Sequence, residues 1–218
     1  MTRVAVIGAH GKVGQQILHL LYDAGHEAVG VVRNPDHSED IVRLGGEPLV
    51  HDLEHSTAED FAGRLEGVDA LVFTAGAGPD SGPERKRTVD LGASVLSQEA
   101  AAIAGIRRFV QISAIGVDAP LDDDTEEGWR AYVEAKRDAD TALRGTDLDW
   151  TILRPGGLTN DEGTGRIELG ESVERGSIPR EDVAATVIAV LADPSSIGRT
   201  WEIVSGDVAI EDAVAKGA

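Results

Sequence analysis

The sequence contains no cysteine. That absence excludes a disulfide framework, a thiolate metal site and a cysteine nucleophile. Positive charge is in short supply: 20 Lys plus Arg stand against 39 Asp plus Glu, a formal net charge of −19. A phosphate backbone is attracted by basic residues, so nucleic acid is excluded as the main partner. No apolar run approaches the 18 or so residues of a membrane helix, which predicts no membrane span. Thr2-Arg3 leads straight into a strand-like run rather than a signal peptide, so a cytoplasmic protein is expected. Neither Gly-x-Ser-x-Gly nor a phosphate-loop lysine motif occurs, which leaves hydrolase and kinase chemistry without support.

What is present begins with 218 residues, enough for one domain with one sizeable core. The basic residues are arginines except for Lys12, Lys86, Lys136 and Lys216. Such an acidic, lysine-poor surface resembles that of proteins from salt-loving microbes, where screening weakens self-repulsion. An acidic bias from a GC-rich genome gives the same composition.

Short apolar runs alternate with helical patterns. Val4–Ile7, Ala28–Val32, Glu47–Val50, Ala70–Phe73, Phe109–Ser113, Trp150–Leu153 and Thr200–Val204 read as strands. Helices are expected after the first glycines, across Arg87–Ala104, at about Glu126–Arg144 and at about Arg180–Leu191. This alternation predicts an α/β fold, a doubly wound parallel sheet with helices on both faces. A single domain over 1–218 is the simplest organisation. The polar stretch Asn160–Ser177 has no periodicity and reads as a functional loop. With its flanks, 154–178, it is the expected substrate-side region, small and near the carboxyl terminus.

The chemistry-bearing residues fall at the carboxyl ends of the expected strands. Gly8-Ala9-His10-Gly11-Lys12-Val13-Gly14 lies between the first strand and first helix. Glycines there let the backbone turn tightly and approach a pyrophosphate whose charge sits on the helix N-terminus. A nicotinamide dinucleotide is therefore expected. Its NAD form usually meets an acid after the second strand, but this chain has Arg33-Asn34-Pro35. Arg33, with Lys12 or His10, suits a ribose 2′-phosphate, so NADP is favoured over NAD. Asp52-Leu53 is placed for the adenine edge, although Asp52 suits a helix cap equally. Thr74-Ala75-Gly76 are small enough for a cofactor to lie against their backbone.

Tyr132 and Lys136 are four apart on an expected helix and share a face with Trp129, Ala139 and Leu143. Two tyrosines and four lysines in 218 residues meet at that spacing by accident about 4% of the time. A cation beside a phenol favours the phenolate, so Lys136 is expected to lower the Tyr132 pKa and ready it for proton exchange. Ser113, ending the fifth strand, is placed to hold a substrate oxygen or to satisfy a strand-end backbone group.

Together, Gly8-x-x-Gly11-x-x-Gly14, Arg33, Asp52-Leu53, Ser113, Tyr132-x-x-x-Lys136 and Arg154-Pro155-Gly156 resemble an atypical short-chain dehydrogenase/reductase. The similarity is to the compact branch near NmrA-like and sugar-nucleotide-epimerase-like proteins, and it covers nearly the whole chain. It implies a Rossmann-like fold and an NADP-dependent oxidoreductase for a small carbonyl, alcohol or quinone-like compound. By the same resemblance Gly8, Gly11 and Gly14 cradle the pyrophosphate, Arg33 reads the phosphate and Asp52-Leu53 meet the adenine. Ser113 and Tyr132 are then the polarising group and the acid/base, and Lys136 holds the nicotinamide ribose and tunes the tyrosine. Pro155-Gly156-Gly157 pass beside the nicotinamide. The chain departs from many family members in having only Asn34 and Asn160, so the helix asparagine of their proton relay is missing.

Two alternatives remain at the level of sequence. The small substrate region fits a non-catalytic NADP(H) sensor that signals to a protein partner. The same Ser/Tyr/Lys set fits a sugar-nucleotide epimerase or dehydratase. His51 and His55 straddle a strand end without an obvious third ligand, so no metal is expected. Asp122–Asp124 and Glu126-Glu127 read as a solvated loop entering a helix N-terminus.

Overall fold

Val4, Ala5, Val6 and Ile7 are all buried, as a strand must be when helices cover both faces of its sheet. Successive side chains point to opposite faces. Val4 and Val6 join Ile17, Leu18, Leu21, Val187 and Trp201 in one apolar layer. Ala5 and Ile7 join Phe61, Leu71, Phe73, Phe109, Leu143 and Ile152 in the other. Each fully buried side chain of this size contributes about 1.5–3 kcal/mol, so two layers on one sheet account for a single cooperative core.

The computed structural model describes residues 1–78 and 81–217. Its first half runs β1 (Arg3–Ile7), α1 (Lys12–Asp23), β2 (Glu27–Val32), α2 (Ser38–Arg43), β3 (Glu47–Val50), α3 (Ala58–Ala62) and β4 (Ala70–Phe73). The short turn α4 (Pro83–Arg85) leads into a π-helical segment, Lys86–Ala93, which continues as α5 (Ser94–Ala104). Next come β5 (Arg108–Ile112), α6 (Glu127–Arg144) and β6 (Asp149–Pro155). The last part holds β7 (Gly157–Thr159), β8 (Arg166–Gly170), β9 (Ser177–Pro179), α7 (Arg180–Ala192), β10 (Arg199–Ser205), β11 (Val208–Ala209) and α8 (Ile210–Gly217).

The main sheet has the order β11-β8-β10-β6-β5-β4-β1-β2-β3. From β10 to β3 every neighbouring pair is parallel. The fold is Rossmann-like, the doubly wound architecture expected of the sequence. The chain leaves β1 toward β2 and β3, then returns to β4 on the opposite side of β1. That reversal opens a crevice at the carboxyl ends of β1 and β4, where ligands of such sheets bind.

Two differences from the expected elements matter. The long helix begins at Lys86 and is π-helical to Ala93, where uniform helical spacing was expected. The polar stretch 160–177 is not all loop: Arg166–Gly170 forms β8, antiparallel to β10, with Ile167 fully buried. β7 and β9 form a separate two-stranded parallel pair beyond the end of β6.

Candidate functional site

The turn from β1 into α1 is built around two glycines with different duties. Gly8 has φ +84°, and a Cβ on it would stand 2.7 Å from the Ala75 backbone. Gly14 has no such dihedral demand, but its Cβ would lie 2.5 Å from the Gly8 carbonyl oxygen. Gly14 therefore lets α1 pack on the turn, while Gly8 lets the turn pass the end of β4. Gly11 is the N-cap and brings no side-chain cap to the helix. The first N–H groups of α1 are thus left for an anion, which fits a pyrophosphate.

Beside this turn lies a cavity of about 330 Å³. Of the residues expected to hold a cofactor, Gly8, His10, Gly11, Arg33, Asp52, Leu53, Ala75 and Gly76 line it. Its place between the ends of β1, β2, β3 and β4 suits an adenosine. Lys12, Val13, Gly14, Thr74, Lys136, Pro155, Gly156 and Gly157 are not part of its wall. Val13 is in the core, and the Thr74 N–H ties the end of β4 to the Ile7 carbonyl at 2.9 Å. Lys12 Nζ donates instead to Asn160 Oδ1 at 3.3 Å, an oxygen that also accepts from Arg180 Nη1 at 2.8 Å. Gly156 is a packing glycine, since its Cβ would meet the Gly176 oxygen at 2.4 Å.

Among the cavity residues that the sequence did not assign to the site are His37, Glu54 and Arg85, all with ionisable side chains. His37 stacks on His10 with ring centroids 3.5 Å apart. His10 Nε2 lies 2.8 Å from Asp40 Oδ2, and this hydrogen bond holds the Asp40 carboxyl below its ordinary pKa. Glu54 Oε2 accepts from Arg33 Nη1 at 2.8 Å and Arg85 Nη2 at 2.7 Å, while Oε1 accepts from the Thr88 hydroxyl at 2.7 Å. Burial would raise the Glu54 pKa, but Thr88 and the two arginines pull it below the ordinary value. The basic run Arg85-Lys86-Arg87 after the glycine loop is a signal in the sequence by which Arg85 could have been found. Asp52 caps the short turn at Leu53–His55 through the Glu54 N–H, as one of its two expected readings had it, and it also lines the cavity.

At the reactive end, Ser113 is 4% exposed and its hydroxyl donates to Asp140 Oδ2 at 2.8 Å. It therefore serves neither of its expected partners, substrate oxygen or strand-end backbone, with that proton in this state. Asp140 is fully buried and also accepts from Gln111 Nε2 at 2.7 Å and Arg154 Nε at 2.9 Å. Arg154 reaches on to Asp118 at 2.7 Å. Desolvation raises the Asp140 pKa against the pull of Arg154, Ser113 and Gln111.

Lys136 is 6% exposed and is held by the Ile112 carbonyl at 3.2 Å and by Asp90 Oδ1 at 3.4 Å. Asp90 belongs to the π-helical segment, and its Oδ2 accepts from the Ala77 N–H at 3.0 Å. Lys86, also 6% exposed, stands over the Tyr132 ring with Nζ 5.5 Å from the ring centroid and donates to the Gly78 carbonyl. The expected lowering of the Tyr132 pKa is corrected: it is raised. Burial of the phenol is the main cause, and Asp90 and Asp140 oppose the help from Lys136. Trp129 lies on the same helix but is 54% exposed, so the face it shares with Tyr132 and Lys136 is not uniformly buried. Its ring tilts against Tyr132 at 5.3 Å.

Among the described residues no three His, Asp or Glu side chains are grouped to hold a metal ion, and no helix is long and apolar enough to cross a membrane.

Residues 8–194 match a family described as NAD(P)H-binding. A Bacillus subtilis protein described as an uncharacterized sugar epimerase, YhfK, is 38% identical over 98% of this chain and 99% of its own length. A solved Bacillus halodurans structure, described as a putative NAD-dependent epimerase/dehydratase, superposes with TM-score 0.92 at 35% identity. It covers 99% of this chain and 100% of that one. A Streptomyces griseus (4-alkanoyl-5-oxo-2,5-dihydrofuran-3-yl)methyl phosphate reductase is 28% identical over 95% of this chain and 69% of its own.

Proposed function

We propose that this chain, which belongs to the NAD(P)H-binding family of atypical short-chain dehydrogenase/reductases, is an NADP-dependent reductase of a small carbonyl or quinone-like compound. The observation that supports the proposal is that the Gly8–Gly11 turn follows the carboxyl end of β1 while Lys136, on the same helix as the half-buried phenol of Tyr132, is held by the Ile112 carbonyl at the carboxyl end of β5. The adenosine half of the cofactor would lie against Arg33, Asp52-Leu53 and Ala75-Gly76, and its pyrophosphate against the α1 N-terminus. Bound there in reduced form, the nicotinamide supplies hydride. Pro155-Gly156-Gly157 and Lys136 would border the nicotinamide end.

In this reaction Tyr132 gives its phenolic proton to the substrate oxygen. Burial raises the phenol's pKa and so makes it a weaker acid, which means that donation needs a counter-charge for the resulting tyrosinate. Lys136 stands as the counter-charge to the tyrosinate that forms. To polarise the substrate oxygen, Ser113 would turn its hydroxyl proton from Asp140 to that oxygen. The segment 154–178, apart from β8, would supply the substrate wall. NADP is preferred because Arg33 stands where an NAD site carries an acid. The S. griseus relative, a reductase by description, supports reduction as the direction.

The B. subtilis relative's description favours a second reading, sugar epimerisation, which uses the same tyrosine without net consumption of cofactor. A carbonyl and quinone panel, assayed by loss of NADPH absorbance with Tyr132→Phe as control, separates the two. Net oxidation that disappears in Tyr132→Phe supports the reductase. Turnover unchanged in that variant at saturating cofactor removes Tyr132 from the mechanism.

A further inference from the structure

Half of the four lysines in this chain, Lys86 and Lys136, are buried near one tyrosine, Tyr132. Lys86 and Asp90 lie four residues apart on the π-helical segment, and Tyr132 and Lys136 lie four apart on α6. The two segments pack so that Lys86 faces the Tyr132 ring and Asp90 faces Lys136. The same two side chains also grip neighbouring backbone atoms of the loop after β4. Asp90 accepts from the Ala77 N–H, and Lys86 donates to the Gly78 carbonyl.

We propose that Lys86 and Asp90 form a positioning unit for the proton donor. Lys86 supports Tyr132 electrostatically through its ring face, Asp90 holds Lys136, and both fasten the loop Ala77–Gly78 to the same helix face. The inference rests on Tyr132 being the proton donor and adds two residues to the machinery around it.

Three arguments carry it. Burying an ammonium is costly unless it is paired, and among the described residues Lys86 meets no carboxylate, only one carbonyl and the ring. A cation at the ring face is attracted more strongly as negative charge develops on the phenol oxygen, so Lys86 favours the state Tyr132 reaches after giving up its proton. The π-helical turn, a geometry frequent at functional sites, places Lys86 and Asp90 on this face.

The charged groups around the phenol are Lys86 and Asp90 from the π-helical segment and Lys136 and Asp140 from its own helix. On α4, Glu84 is exposed and Arg85 is drawn to Glu54. α5 presents the neutral side chains of Ser94 and Gln98.

The test uses the second tyrosine's location. Tyr22 is exposed, so Tyr22→Phe leaves Tyr132 as the one phenol in the chain. Replacing it biosynthetically with 3-fluorotyrosine acidifies the phenol and brings its titration into a milder pH range, read by ¹⁹F NMR. In this background Lys86→Met is expected to raise the midpoint by about one pH unit, and Lys86→Arg to restore most of it. Asp90→Asn is expected to lower it. A loop pin without electrostatic coupling predicts lost stability and unmoved midpoints. Midpoints within about 0.3 pH units of the parent in both Lys86→Met and Asp90→Asn would overturn the proposal. Should Lys86→Met fail to fold, Lys86→Gln and Asp90→Asn carry the same comparison. No turnover is needed, so this result is separable from the Tyr132→Phe assay that tests the reductase itself.

Discussion

Arg33 Nη1 donates to Glu54 Oε2 at 2.8 Å, so the residue placed to read a 2′-phosphate already holds a carboxylate. Arg85 shares that oxygen. A phosphate arriving here exchanges one anion for another and is bound by less than two free arginines would give. Glu54→Gln is expected to tighten NADPH binding about tenfold with little effect on NADH, and Arg33→Met to weaken NADPH about tenfold. Dissociation constants for both cofactors check each arm. Equal changes for NADPH and NADH would mean that this cluster reads something other than the phosphate.

Tyr132→Phe removes the proposed proton donor at a residue that does not line the cavity beside the glycine turn. Turnover is expected to fall about 10²–10⁴-fold at saturating cofactor, with NADPH affinity within about twofold of the parent. Parallel steady-state kinetics and fluorescence titration check the split.

Gly8→Ala and Gly14→Ala should fail in different ways. Gly8 needs φ +84° and clearance from Ala75, so the alanine distorts the cofactor turn and is expected to abolish nicotinamide binding. Gly14→Ala pushes α1 off the turn and is expected to cost about 1–3 kcal/mol of stability, with weaker binding as a consequence. Thermal melts alongside binding titrations distinguish them.

The parts that local pattern encodes were legible in the sequence. Strand runs, the glycine turn, Arg33 and the Tyr132/Lys136 spacing each follow from a few adjacent residues, and the doubly wound parallel sheet follows once helices alternate with strands. β8 was not, because only Ile167 and Leu169 mark a two-residue period inside a Gly- and Glu-rich stretch. Lys86 and Asp90 were hidden by the π-helical turn, since spacing taken at 3.6 residues per turn assigns their faces wrongly. The Glu54 ion pairs and the Asp140 network join residues far apart in sequence, and no local pattern records them. The Tyr132 pKa depended on burial, which the lysine four residues on does not reveal.

Asp140→Ala is expected to destabilise the protein by about 3–5 kcal/mol, because it leaves Arg154 with half its charge partners in a buried site. Chemical denaturation measures it. A loss under about 1 kcal/mol would mean that Asp118 or water compensates Arg154 fully.

The Glu54 carboxyl has a lowered pKa in the folded chain, so the unfolded chain binds its proton more tightly. The stability from this shift is fully present above the unfolded value, near 4.5, and is lost as the pH falls through the folded one. Melting temperatures measured from about pH 6 to pH 3 should therefore fall less steeply for Glu54→Gln than for the parent. Equal slopes would contradict the ion-pair account.

The most direct test of nicotinamide chemistry is a fluorescence titration of the purified protein with NADPH and NADH, in molar KCl to screen its net charge of −19. Saturable NADPH binding, at least about tenfold tighter than NADH, is the predicted result. No binding of either by a protein shown to be folded would contradict the proposed reductase.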